Sequence, residues 1–223
     1  VQKELKKKKN FISMFDLKDA ELHHLIKRAM GFKRTRRKHL NTLKGKGIVL
    51  LFEKSSTRTR VSFEAAIHEL GGYSIYLSSK DAQLSRGETI ADTARTLSRY
   101  TDAIVLRTFA HSTIVEMGNF ASVPVINALS DLLHPCQALA DVMTIIEYKG
   151  KFDGLKMAYV GDGNNVANSL IEASAVFGFE IWIGCPPGFE PDSGVLESAI
   201  NRGGKVNIVA SPVDAVRHAD VVY

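Results

Sequence analysis

The chain has 223 residues, 45% of them hydrophobic and 24% charged, which fits a folded globular protein and excludes a collagen-like fibre, a coiled-coil rod or a disordered tail. That length exceeds the usual domain of about 100 to 150 residues and falls short of two, so one domain plus part of another is expected. The net charge of +5 is unevenly spread: residues 1–40 hold 13 of the 29 Lys and Arg and 4 of the 24 acids, leaving a mildly acidic body. The basic runs Lys6 to Lys9 and Lys33 to Lys38 have no interleaved aromatics, so they read as solvated charge and nucleic acid is not an expected partner. The longest apolar run, Ile48 to Phe52, is far below the roughly 18 residues of a membrane span, and no signal-like segment opens the chain. A soluble, cytoplasmic protein with no membrane partner is expected. Cys136 and Cys185 make neither a disulfide framework nor a four-ligand zinc set, in keeping with a reducing cytosol.

In chain order, a helix is predicted over 19–31, with Leu22, Leu25, Ile26, Ala29 and Met30 on one face and Gly31 placed to stop it. Strands follow at Ile48 to Phe52, Tyr73 to Leu77, Ala103 to Leu106 and Pro124 to Asn127, separated by helical stretches. One helix starts near Thr57 and ends at Gly71-Gly72, and another runs from Glu88 to Tyr100. A third opens at His134-Pro135 and ends near Lys149-Gly150. The turn-rich Lys149 to Gly154 stretch is the expected domain boundary, because a new series of strands begins there at Lys156 to Val160. It continues with Glu180 to Ile183, Lys205 to Val209 and Asp220 to Tyr223. The last strand has no covering helix after it, so the second domain reads as unfinished. The fold class is α/β: two doubly wound parallel-sheet domains, the second Rossmann-like and truncated.

Ligands of open parallel sheets bind beyond the carboxyl ends of the strands, and the polar clusters fall at those ends. The first strand leads into Ser55-Ser56-Thr57-Arg58-Thr59-Arg60, the third ends at Arg107-Thr108, and the fourth leads to Ser130-Asp131 and His134-Pro135-Cys136-Gln137. Hydroxyls and arginines at a helix start, where free N–H groups and the positive dipole end lie, suit a phosphate. The competing reading is an N-cap with two solvated arginines. The Gly-x-x-x-x-Gly-Lys spacing of an NTP-binding loop is missing. Arg107, at the end of an apolar strand, needs an anion or another acceptor, or an ordinary salt bridge. Of the seven histidines only His134 lies on this rim; its plainer reading is a helix cap.

Gly161-Asp162-Gly163-Asn164-Asn165-Val166 lies between a strand and a helix and partly matches a dinucleotide fingerprint. Val166 stands at the third small position, however, and the next strand ends at Ile183-Gly184-Cys185 without an acid for a ribose. The amides of Asn164 and Asn165 suit a polar small molecule instead.

Taken together these segments resemble the aspartate/ornithine carbamoyltransferase family. The resemblance is carried by Phe52-Glu53-Lys54-Ser55-Ser56-Thr57-Arg58-Thr59-Arg60, Asp81-Ala82-Gln83-Leu84-Ser85-Arg86-Gly87-Glu88-Thr89, Leu106-Arg107, His134-Pro135-Cys136-Gln137-Ala138-Leu139-Ala140-Asp141 and Gly161-Asp162-Gly163-Asn164-Asn165, in family order over nearly the whole chain. It implies a carbamoyl phosphate-binding domain at 1–148 and an incomplete amino-acid-binding domain at 149–223. By motif, carbamoyl phosphate falls to Ser56, Thr57, Arg58 and Thr59 for the phosphate, with Arg107, His134 and Gln137 around the carbamoyl group. Arg58, Arg107 and His134 are the implied catalytic residues. Gln83 matches a residue that enters a neighbouring subunit's site, which implies a homotrimer or an assembly of trimers, and Asn165 matches an ornithine contact. No metal or other cofactor is implied.

Within the family the aspartate branch carries a lysine in the loop that here reads Gln83-Leu84-Ser85-Arg86-Gly87, and an arginine where this chain has Asn164-Asn165. An arginine suits a dicarboxylate and asparagine a zwitterion with a cationic side chain, so ornithine is the favoured acceptor and other amines the alternative. The implied reaction is attack of the neutral δ-amine of L-ornithine on carbamoyl phosphate, giving L-citrulline and phosphate in arginine metabolism. The family's further segments, an Asp and Ser-Met-Gly segment and a His-Cys-Leu-Pro segment, do not occur within the 223 residues, so the acceptor half is expected to be incomplete and the chain alone inactive. Two readings from other classes stand beside this one: a non-catalytic carbamoyl phosphate-binding fragment and a nucleotide-binding α/β module.

Overall fold

The computed structural model describes residues 8–35, 41–78 and 87–223. The first sheet contains β1 (Gly47–Phe52), β2 (Tyr73–Ser78), β3 (Ala103–Arg107) and β4 (Val125–Leu129) in the order β2-β1-β3-β4. Both neighbours of β1 run parallel to it. Its side chains alternate between two cores, as the two-residue period of a strand requires. Val49 and Leu51 pack with Ile104, Leu106, Ala94, Ile114 and Met117, while Ile48, Leu50 and Phe52 pack with Val105 and Ile67. Ala94 belongs to α3 (Ile90–Tyr100), Ile114 and Met117 to α4 (His111–Phe120), and Ile67 to α2 (Thr57–Glu69). Helices therefore cover both faces, which is why all six residues of β1 are buried.

The second sheet contains β5 (Lys156–Val160), β6 (Glu180–Gly184), β7 (Lys205–Val209) and β8 (Val221–Val222), ordered β7-β6-β5-β8, again parallel. This is the first part of a Rossmann strand order, as expected. Between β5 and β6 runs α6 (Asn165–Phe177), buried over most of its length. Two short helices, α7 (Ser193–Asn201) and α8 (Pro212–Val216), complete this series. In each sheet the order reverses beside the first strand, between β1 and β3 and between β5 and β8, and these are the two places where such a sheet opens a crevice.

The described residues form two compact units, one from residues up to Ile12 with Thr35–Ala128, the other from Ser13–Arg34 with Leu129–Tyr223. Packing thus groups α1 (Asp19–Arg34) and α5 (Pro135–Lys149) with the second sheet, whereas the expected division at 148/149 follows the order of strands along the chain. Gly31 does not stop α1, which continues for another three residues. One glycine inside a helix costs only about 1 kcal/mol, and beyond it Phe32 lies under the Arg28 guanidinium and Lys33 pairs with Glu147 at 2.7 Å. Gly150, at φ 77°, ends α5 as the sequence suggested.

Two charged groups have roles that the charge runs did not reveal. The Lys8 ammonium donates to the carbonyls of Gly118, at 2.6 Å, and Ala121, where it caps the negative end of α4. The Glu172 carboxylate, buried on α6, accepts from the Ser13 hydroxyl at 2.7 Å and the Met14 N–H at 3.1 Å. It thereby holds the 3-10 turn Met14–Asp16, which precedes α1. Burial pushes this carboxyl up to about 7, partly offset by those two hydrogen bonds.

Candidate active site

At the crevice of the first sheet, β1 ends at Phe52 and α2 begins at Thr57. Ser56 is extended, φ −160° and ψ 118°, and its hydroxyl accepts from the Thr59 N–H at 3.2 Å, the ordinary N-cap bond. The same hydroxyl donates to Thr59 Oγ1 at 2.9 Å. Arg107, from the end of β3, donates through a terminal guanidinium nitrogen to that oxygen at 3.2 Å. Ser56, Thr59 and Arg107 therefore form one connected group across the reversal of strand order. Thr57 and Arg58 are exposed in the first turn of α2, which carries no acid to compete for an anion.

Arg107 is only 8% exposed, and its Nε has no hydrogen-bond partner among the described residues. Burial alone draws its pKa down. A buried guanidinium is costly unless it is paired, and among the described residues Thr59 is its hydrogen-bond partner, while Glu53 holds the backbone around it. The Glu53 N–H donates to the Arg107 carbonyl at 2.8 Å. The Glu53 carboxylate accepts from the Thr108 hydroxyl and, at 3.4 Å, from the Phe109 N–H. This carboxylate fastens the end of β3 to the end of β1 and fixes the backbone that presents Arg107. Arg60 has a different task from its neighbours: its guanidinium lies 3.6 Å from the centre of the Tyr76 ring and pairs with Glu64 at 3.0 Å.

In the second unit, the loop after β4 and the start of α5 are held by the polar first turns of α6. The Asn165 amide donates to the Ser130 carbonyl at 2.6 Å, Asn168 donates to the Leu132 carbonyl at 3.0 Å, and the His134 N–H donates to the Ser169 hydroxyl at 2.7 Å. His134 stands at the N-cap of α5 without making a side-chain cap bond, so its half-buried ring is not used as a cap. Gln137, in the first turn of α5, donates its amide N–H to Asp141 at 2.9 Å. Burial pushes the Cys136 thiol up to about 12, which disfavours its thiolate.

The turn after β5 is closed on itself. Asn164 caps α6, accepting from the Val166 N–H at 2.9 Å and the Ala167 N–H at 3.3 Å, and donates to Asp162 at 2.9 Å. Gly163 donates to the Phe189 carbonyl at 2.7 Å, and a Cβ there would lie 2.1 Å from the backbone nitrogen of Pro191. In a dinucleotide fingerprint the second glycine admits the pyrophosphate; in this chain it admits the chain's own 186–191 loop.

The sequence-predicted residues thus fall into two groups. Ser56, Thr57, Arg58, Thr59 and Arg107 share the first crevice; His134, Gln137 and Asn165 share the α5 and α6 starts of the second unit. Gln83 lies outside the described residues. Sequence reasoning missed Glu53, Asn168 and Ser169, which position others.

Residues 9–147 match the family description "aspartate/ornithine carbamoyltransferase, carbamoyl-P binding domain", and residues 153–223 match its Asp/Orn binding domain. The chain belongs to the aspartate/ornithine carbamoyltransferase family. Members similar to it include the ornithine carbamoyltransferase of Methanocorpusculum labreanum, 50% identical over 97% of this chain and 72% of that one, and that of Methanosarcina mazei, 49% identical over the same shares. Among solved family structures, ornithine carbamoyltransferase from Pyrococcus furiosus superposes with a TM-score of 0.92 at 47% identity, covering 96% of this chain and 71% of that one. The Thermus thermophilus enzyme gives 0.89 at 40%, covering 96% and 73%. The likeness to these structures extends to the fold, two parallel-sheet α/β domains.

Proposed function

We propose that the protein is an enzyme that transfers the carbamoyl group of carbamoyl phosphate to the δ-amine of L-ornithine, giving L-citrulline and phosphate. The observation that carries this reading is the connected group Ser56, Thr59 and Arg107 at the start of an acid-free helix turn, a constellation suited to a small phosphorylated anion. The similarity to ornithine carbamoyltransferases supports ornithine as acceptor, as do Asn164 and Asn165 in place of a positive charge. Aspartate or another amine is the competing acceptor.

In this reading the hydroxyls and first-turn N–H groups of Ser56, Thr57, Arg58 and Thr59 hold the phosphate. Thr59, Arg107 and His134 donate to the carbamoyl oxygen as it gains charge, while Arg58 and the helix amides stabilise the departing phosphate. Gln137 engages the carbamoyl nitrogen and Asn165 serves the amino acid. The attacking amine must be neutral, and its reference pKa is about 10.4, so turnover rises with pH through the neutral range. A homotrimer or an assembly of trimers, with Gln83 reaching a neighbour's site, belongs to the same proposal, as do a cytoplasmic setting and a place in arginine metabolism. Among the described residues no helix is long and apolar enough to cross a membrane.

The test is citrulline formation from carbamoyl phosphate, with ornithine or aspartate at equal concentration, by a protein that carries this chain together with the family's Ser-Met-Gly and His-Cys-Leu-Pro segments. Citrulline with ornithine and no carbamoylated aspartate is expected. Carbamoyl phosphate binding without transfer to any amine would leave the binding-fragment reading in its place.

A further inference from the structure

A primary amide offers a donor on one side and an acceptor on the other, and what it recognises depends on which side its own protein occupies. Gln137 and Asp141 stand four residues apart on α5, on one face of the helix. The Gln137 amide nitrogen donates to Asp141 Oδ1 at 2.9 Å. A carboxylate can only accept, so this bond claims the donor side of the amide and turns Oε1 the other way. Asp141 is well placed to impose that choice: it is half-buried, and its Oδ2 is buried with no hydrogen-bond partner among the described residues. Gln137 is therefore its one hydrogen-bond donor among the described residues, and its other polar neighbour is Tyr223, whose phenol is pushed up by burial and further by the carboxylate's charge.

We propose that Asp141 is a positioning residue that fixes the polarity of Gln137, presenting its Oε1 as an acceptor for the N–H of the carbamoyl group and so selecting carbamoyl phosphate over acyl phosphates. The proposal rests on the carbamoyl phosphate reading above. An acyl phosphate has a carbon group, a methyl in acetyl phosphate, where carbamoyl phosphate has NH₂. It cannot donate to Oε1, and it leaves that oxygen desolvated and unpaired, a loss of the size that lets hydrogen-bonding sites discriminate well. Were Oε1 and Nε2 exchanged, the amide would face the carbamoyl NH₂ donor to donor and the preference would vanish.

Titration calorimetry with carbamoyl phosphate, acetyl phosphate and inorganic phosphate tests this on the parent, Asp141→Asn, Gln137→Ala and the double variant. An asparagine at 141 can itself donate, which frees the Gln137 amide to turn over. The parent is expected to prefer carbamoyl over acetyl phosphate, and Asp141→Asn to lower that preference about tenfold, one hydrogen bond's worth. Inorganic phosphate affinity should be unchanged. In the Gln137→Ala background the Asp141 substitution should change nothing further, since a residue acting through another has no effect once that other is gone. A preference preserved in Asp141→Asn, an equal loss for all three ligands, or an undiminished effect in the Gln137→Ala background would overturn the proposal. A parent that binds none of the three would instead remove the carbamoyl phosphate reading itself, and this proposal with it.

Discussion

The two crevices of this molecule are built from the same strand–turn–helix unit and put to opposite uses. After β1, the turn into α2 presents exposed Thr57 and Arg58 beside a buried Arg107 whose Nε is unsatisfied by the described residues. After β5, the turn into α6 spends its polar groups internally: Asn164 on the helix cap, Gly163 on the 186–191 loop, Asn165 on Ser130. One turn leaves side chains exposed and a buried guanidinium nitrogen unsatisfied by the described residues, and the other uses its donors to hold its surroundings in place. Position at a strand end is therefore not enough to make a ligand contact. What matters is whether the local hydrogen bonds are already closed.

On the proposed reading, that contrast predicts chemical effects for substitutions in the first crevice and structural ones at the Gly163-Asn164 turn of the second. The largest effect is expected from Arg107→Ala, which, in a protein that also carries the family's acceptor segments, should lower turnover about 10² to 10³ fold if Arg107 donates to the developing oxyanion. Thermal unfolding should change little, because among the described residues the arginine side chain gives up a single bond, to Thr59. Steady-state kinetics beside a melting curve would show the split; a collapse of both would make Arg107 a structural residue.

Next comes Glu172→Gln, on the helix that the second crevice opens. The carboxyl of Glu172 is raised by burial from 4.5 to about 7, so the folded state favours its protonated form. That stability is present in full below about pH 4.5 and is lost as pH rises through about 7. The glutamine variant should therefore gain relative to the parent across this window, by about 3 kcal/mol at the alkaline end, measured by urea unfolding at pH 4.5, 6 and 8. A difference independent of pH would show that Glu172 does not titrate there.

Smaller still is Gly163→Ala, whose Cβ would press on the backbone of Glu190 and Pro191. Overpacking of this kind costs about 1 to 3 kcal/mol, seen as a lower unfolding midpoint, while phosphate affinity stays as it was. Weakened phosphate binding at an unchanged midpoint would instead put the anion at the second crevice.

The strands were legible because each is a short apolar run closed by turn residues, and β1 could be placed within one residue of its observed start. The rim of the first crevice was legible too, since hydroxyls and arginines at a helix start carry their chemistry in their type. The end of α1 was not, because contacts of Phe32 and Lys33 outweigh the small cost of Gly31. Nor were Glu53 and Glu172: an acid beside a lysine or within a helix reads as surface until the fold shows which hydroxyls and N–H groups it accepts from. Asn165 carries a similar lesson. The family motif matches it to an amino-acid contact, and the structure adds that its amide donates to the Ser130 carbonyl, so a role with ornithine falls to its remaining groups.

Calorimetric titration with carbamoyl phosphate of the parent and of Arg58→Ala tests the central claim most directly, because Arg58 is exposed and can be removed with little cost to folding. The account predicts binding by the parent and a loss of about tenfold or more in the variant, the worth of one charged hydrogen bond. Equal affinity in the two proteins would contradict it and move the phosphate site away from the first turn of α2.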